Sequence, residues 1–180
     1  MKYWQWLLPK RALKSDKKTG LSLLEVLVVL ALIAIITVYS IPKLNFQKKE
    51  FVKFEMEKLY NICLHLRHVA MMENEPQQLL FDISKNMYSF KQSKENISKN
   101  VRFGVAKDVK GPPSGFSEKI LDPITFEKKT IVFYPDGKIS SGIVYFTDLD
   151  QEVSFALSCA VAKVSFLRKY KFDGNWKLIS

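Results

Sequence analysis

Glu25 carries the strongest chemical demand in this chain. It sits in Lys17-Lys18-Thr19-Gly20-Leu21-Ser22-Leu23-Leu24-Glu25, and from Val26 to Pro42 no charged residue follows. A carboxylate inside an apolar helix costs about 2.5–3.5 kcal/mol on insertion scales, and less near a helix end. That cost calls for a cationic partner, or for a side chain that reaches back to the interface. Other residue sets have weaker demands. His65 and His68, three apart, could share a helix face as two metal ligands, but no third ligand is recognisable, so two surface histidines are expected. Asp148, Asp150 and Glu152 alternate near a turn. Calcium favours such oxygens, yet the glycine and distal glutamate of a full calcium loop are missing, so a solvated turn and no metal are expected. Cys63 and Cys159 are a candidate disulfide in an oxidising compartment, or two buried thiols. Their sequence spacing does not fix the Cα separation that decides between these.

The C-terminal stretch interleaves Lys163, Arg168, Lys169, Lys171 and Lys177 with Phe166, Tyr170, Phe172 and Trp176. Cations beside aromatics suit phosphate contact and base stacking, which makes Lys163, Arg168, Lys169, Lys171 and Trp176 candidate nucleic-acid contacts. A final hairpin with alternating solvent and core faces gives the same interleaving and is the preferred reading. No glycine-rich phosphate loop follows a predicted strand, and no nucleophile and base are recognisably paired. The expectation is a non-enzymatic protein without a cofactor.

The chain has 180 residues and a formal net charge of +10. Half of that excess precedes the apolar run, as Lys2, Lys10, Arg11, Lys14, Lys17 and Lys18 against Asp16. Positive charge before a hydrophobic span orients it with its N-terminus in the cytoplasm. Much of the basicity is therefore a topology signal, which weakens the case for nucleic-acid binding by the whole chain. Three readings compete for residues 1–42. A cleaved secretory signal needs an apolar region of about 7–15 residues and small residues at its cut site; this run is longer and ends Val38-Tyr39-Ser40-Ile41-Pro42. A plain membrane anchor fits the length from Leu21 to Pro42 against the roughly 20 residues required, but leaves Glu25 unexplained. The third reading cuts the chain after Gly20.

The run Gly20-Leu21-Ser22-Leu23-Leu24-Glu25 followed by apolar residues resembles the class III signal of type IV pilins and of type II secretion pseudopilins. The resemblance implies cleavage between Gly20 and Leu21 by a prepilin peptidase, N-methylation of Leu21, and a glutamate at the fifth mature position, here Glu25. Leucine at the new N-terminus departs from the commoner phenylalanine or methionine, and Trp4, Trp6, Leu7 and Leu8 in the leader are not explained by the signal. The residue types suit that chemistry. Gly20 has no Cβ and lets a peptidase approach the backbone. The amine freed at Leu21, with an ordinary pKa of about 7.7–8.0, is largely cationic at neutral pH, and methylation keeps its charge. In the family this amine and the glutamate are thought to pair between neighbouring subunits.

Pro42 lacks an N–H and predicts a kink. Lys48 to Glu75 then reads as a second helical stretch, with Val52, Met56, Leu59, Cys63, Leu66 and Ala70 forming one apolar stripe. Lys48, Lys49, Glu57, Lys58 and Arg67 fall largely away from it, and Asn74-Glu75-Pro76 ends it. Strands are expected at 78–83 and 87–90 around Ser84-Lys85-Asn86, at 101–105, at 131–134 entering the turn Pro135-Asp136-Gly137, and at 143–146, 153–157 and 161–170, with a last turn at Asp173-Gly174-Asn175. Residues 107–119 read as a loop around Gly111-Pro112-Pro113-Ser114-Gly115.

This order, with Pro135-Asp136-Gly137 and then Ser141-Gly142-Ile143-Val144-Tyr145-Phe146, is similar to the H-type minor pseudopilin and pilin group (GspH/FimT). The expected fold is α+β and pilin-like, a long N-terminal helix packed on an antiparallel β-sheet head. Expected segments are a leader at 1–20, a transmembrane and filament-core helix at 21–42, its amphipathic continuation at 43–76, and a β-rich periplasmic head at 77–180. The resemblance implies a minor pseudopilin of type II secretion in the inner membrane, N-terminus cytoplasmic and head periplasmic. Its partners would be the prepilin peptidase, other pseudopilins or pilins, the inner-membrane assembly platform and the lipid bilayer. A minor type IV pilin for pilus assembly or DNA uptake, and a single-span membrane protein with an external binding domain, are the alternatives.

Overall fold

A computed structural model describes residues 22–115, 119–160 and 166–179, with backbone alone for 38–46. The chain divides into two compact units between Ile41 and Pro42. Helix α1 covers Leu23–Glu73, 51 residues. Its backbone is helical through Pro42, so the proline, which removes one intrahelical hydrogen bond, does not end the element.

In the first unit every described side chain from Ser22 to Thr37 is exposed. Leu23, Leu24 and Leu27 are 83%, 73% and 62% accessible. Among the described residues no helix is long and apolar enough to cross a membrane. The described side chains of the apolar run stop at Thr37, short of the roughly 20 residues that a span needs.

The second unit buries the predicted stripe. Val52, Met56, Leu59, Cys63, Leu66 and Ala70 are all 1% exposed or less. The helix stops at Glu73, and Asn74 takes a left-handed φ of 54°, a conformation asparagine tolerates just past a helix end. Among the described residues nine strands follow: β1 Gln77–Asp82, β2 Met87–Phe90, β3 Ser93–Asn96, β4 Val101–Phe103, β5 Thr130–Phe133, β6 Gly142–Asp148, β7 Ser154–Ala160, β8 Phe166–Asp173 and β9 Asn175–Ile179. They form two antiparallel sheets, ordered β3-β2-β1-β5 and β4-β6-β7-β8-β9. The α1 stripe and the inner faces of both sheets make one core that includes Leu79, Ile131, Phe133, Val144, Phe146, Phe155 and Leu157. The fold is α+β, a helix packed on antiparallel sheets, consistent with a pilin-like fold.

Two turns show how the chain reaches this arrangement. Tyr134 accepts the Gly137 N–H at 2.9 Å and donates its own N–H to the Lys138 carbonyl at 2.8 Å. Gly137 has φ 79°, and a Cβ there would lie 3.4 Å from Met71 Sδ and 3.5 Å from Arg67 Nη2. The Pro-Asp-Gly turn therefore needs glycine for conformation and sits against α1. At Gly142 an added Cβ would fall 2.5 Å from Phe126 Cγ, so the buried Phe126 ring explains the small-residue entry into β6.

Several expected boundaries shift. The β1–β2 loop takes in Ile83 as well as Ser84, Lys85 and Asn86, because Asp82 pairs directly with Met87. Asp82 Oδ1 accepts the Ser84 hydroxyl and, at 3.0 Å, the Lys85 N–H, an Asx turn that closes the loop. Asn86, with φ 52°, ties this loop to the other sheet by donating Nδ2–H to the Val101 carbonyl at 2.7 Å. Strand β3 was not expected; Ser93-Lys94-Glu95-Asn96 is polar throughout, as suits an edge strand with one paired side. Of the strand expected at 161–170, residues 161–165 lie outside the described part.

Candidate functional site: the start of α1 and the charged clasps of the head

Gly20 and Leu21 lie outside the described residues, and the description begins one residue later. Ser22 caps α1: its carbonyl accepts the Glu25 and Val26 N–H groups at 2.9 and 3.1 Å, and its Oγ accepts the Leu24 N–H at 3.3 Å. Glu25 stands in the first helical turn. Serine at the cap with glutamate three residues later is the S-x-x-E pattern of a capping box. The positive end of the helix dipole further favours a carboxylate there, by about 0.3–1 kcal/mol at an exposed site. The sequence reading missed Ser22; the S-x-x-E spacing before an apolar run was the available signal. Leu21, whose amine the expected cut would free, precedes this cap directly in sequence and stands four residues before Glu25.

The flanks of α1 carry charges that are less solvated than expected. Lys48 Nζ bridges Asp150 Oδ2 at 2.7 Å and Glu152 Oε2 at 3.0 Å. Those bonds, Asp150 first, hold the Lys48 ammonium above its usual pKa, and Lys48 holds the Asp150 carboxyl below its own. Lys58 pairs with Glu95 of β3 at 2.6 Å, and Glu57 with Lys169 of β8 at 3.0 Å. The helix is clasped to the β6–β7 turn, to β3 and to β8. Arg67 is half-buried against the Gly137 turn, with its Nε unpartnered.

The metal candidates separate. His65 and His68 are both exposed. Among the described residues, Asp148, Asp150 and Glu152 bring carboxylate oxygens within 4.8 Å of one another. The expected solvated turn needs correction at Asp148, which is only 2% exposed. Its Oδ1 accepts the Glu152 and Val153 N–H groups, both at 2.8 Å. Asp148 thus organises the turn, while Lys48 neutralises the two outer acids.

Cys63 and Cys159 are buried free thiols. Burial pushes the Cys159 thiol up to about 11, with Arg67 opposing, and pushes Cys63 further in the same direction, with Cys159 adding to it. Of the five candidate nucleic-acid contacts, Lys163 lies outside the described residues, and the other four do not share one surface. Lys169 turns toward α1, paired with Glu57 and 4.7 Å from the Tyr60 ring centroid, and Lys171, two residues on, shares that side of β8. Arg168 alternates to the opposite side, 4.4 Å from the Phe166 ring centroid. Trp176 packs on Phe172 and Tyr145 and donates Nε1–H to the Gly111 carbonyl at 2.7 Å.

Comparison with known proteins adds one match. Residues 15–40 match the family described as "Prokaryotic N-terminal methylation motif". The match spans the Gly20–Leu21 bond, Glu25 and most of the apolar run. No curated protein and no solved structure matches the chain. The chain carries the type IV pilin and pseudopilin signal, which implies prepilin peptidase processing, pilin-type assembly and a membrane-anchored N-terminus.

Proposed function

We propose that this chain is a minor pseudopilin of a type II secretion system, of the H-type (GspH/FimT) group. The peptidase cuts between Gly20 and Leu21 and methylates the Leu21 amine. The helix from Leu21 to Pro42 spans the inner membrane as a single pass with its N-terminus cytoplasmic, the amphipathic continuation covers 43–76, and the head at 77–180 faces the periplasm. The subunit acts by assembly rather than catalysis, joining other pseudopilins at the inner-membrane platform in a short filament that drives export. The observation that carries this reading is Glu25 in the first turn of a helix whose following apolar side chains are exposed all round. Such a surface requires lipid or other helices as cover, and Glu25 requires a cation within that cover.

The reading within the pilin class rests on the Pro135-Asp136-Gly137 turn and on Gly142 under Phe126. A minor type IV pilin is the runner-up. Deletion of the gene separates them. The secretion reading expects folded export cargo to accumulate in the periplasm while surface pili and DNA uptake persist. Normal export with loss of pili would place the subunit in a pilus instead.

A further inference from the structure

Strand β8 presents Lys169 and Lys171 to α1, two residues apart and hence about 6.6 Å along the strand. Lys169 meets an acid of the helix, Glu57. Lys171 instead lines a groove with Lys49, eight residues or about two turns earlier on the same helix. Neighbouring lysines are spent elsewhere: Lys48 on Asp150 and Glu152, and Lys177 on Asp173 at 2.9 Å. Lys49, Lys53 and Lys171 line a groove of about 410 Å³ together with Glu50, Phe155, Leu178 and Ile179. None of these three lysines forms an ion pair among the described residues, and Glu50 forms none either. Leu178 is 64% exposed, so apolar surface adjoins a groove in which three lysines outnumber one carboxylate.

We infer that this groove binds the anionic headgroup of a phospholipid, its phosphate between Lys49 and Lys171 and its glycerol end against Leu178 and Ile179. The like-charged neighbours already have a consequence. The Lys171 ammonium lies below its usual pKa, chiefly because of Lys49, then through burial; Lys177 adds to the effect and Asp173 opposes it. A bound phosphate reverses that sign. Apolar Leu178 and Ile179 favour a lipid over free phosphate. A lipid as the occupant rests on the proposed membrane anchor.

The test uses the full chain in neutral detergent micelles, with lysine ¹³Cε resonances followed by NMR. Short-chain phosphatidylglycerol is titrated in, beside short-chain phosphatidylcholine, inorganic phosphate and a single-stranded oligonucleotide. The expected result is a saturable shift of Lys49 and Lys171 with phosphatidylglycerol, an upward move of the Lys171 titration midpoint, and affinity lost at least tenfold in Lys49→Gln/Lys171→Gln but kept in Lys99→Gln. Absence of a saturable shift, or equal or tighter response to phosphate or the oligonucleotide, overturns the assignment. Micelles do not require a bilayer span, so failure here is distinct from failure of the anchor, which alkaline extraction of native membranes reads separately.

Discussion

Subunits carrying Glu25→Ala are expected to be processed and to fold their heads, but to enter filaments at least a hundredfold less well than wild type. Breaking a desolvated ion pair by removing one partner costs about 3–5 kcal/mol, and each 1.4 kcal/mol is a factor of roughly ten. On the proposed assembly, the mutant's Leu21 amine, mostly cationic near neutral pH, would enter an apolar helix bundle without its carboxylate. Loss of a favourable charge at the helix start is too small to give this effect, since an exposed carboxylate in the first turn contributes about 0.3–1 kcal/mol. Ser22 accepts the Leu24 N–H, and loss of such a cap costs typically about 1 kcal/mol. Ser22→Ala should therefore lower assembly by roughly fivefold, on the same conversion. Cross-linking between helices in native membranes, quantified as the ladder of multimers, reads both variants. Equal ladders for Glu25→Ala and wild type would remove the assembly role; equal losses in the two variants would reduce the effect to that of the helix start.

The second large effect concerns the head. Leu59→Ala should destabilise it by about 2–5 kcal/mol, the range for truncating a buried leucine, because Leu59 is fully buried in the core shared by α1 and the sheets. Phe54→Ala, five residues earlier on the same helix, should change stability by less than about 0.5 kcal/mol, since Phe54 is 65% exposed. Thermal unfolding of the full-length protein in detergent, followed by tryptophan fluorescence, distinguishes them. A similar loss in both variants would mean that α1 presents a different face to the sheets.

The two variants also mark what the sequence could reveal. The stripe from Val52 to Ala70 repeats at helical spacing, and each of its six residues is buried; periodicity of this kind needs no tertiary knowledge. The Pro135-Asp136-Gly137 turn was legible because its residue types follow from local φ angles. Strand β3 was not, because Ser93-Lys94-Glu95-Asn96 has no apolar alternation and owes its extension to pairing with β2. Long-range partners were equally hidden. Nothing local announces that Lys48 will meet acids about a hundred residues away, that Asp148 will be buried under its own turn, or that Arg168 and Lys169 will point to opposite sides of one strand. Glu55 shows the same limit: it is 5% exposed and accepts the Ser98 N–H at 3.1 Å, although its neighbours on α1 read as a polar flank. At the N-terminus the methylation signal was legible in the letters around Gly20 and Glu25, whereas the capping role of Ser22 emerged with the helix.

The account depends most on the amine that Glu25 is to meet. Intact-mass and N-terminal fragment analysis of the protein from native membranes tests this directly. The expected product is a chain beginning at Leu21 with one added methyl group on its amine, while a chain that still carries the residues through Gly20 would mean that the partner of Glu25 never forms.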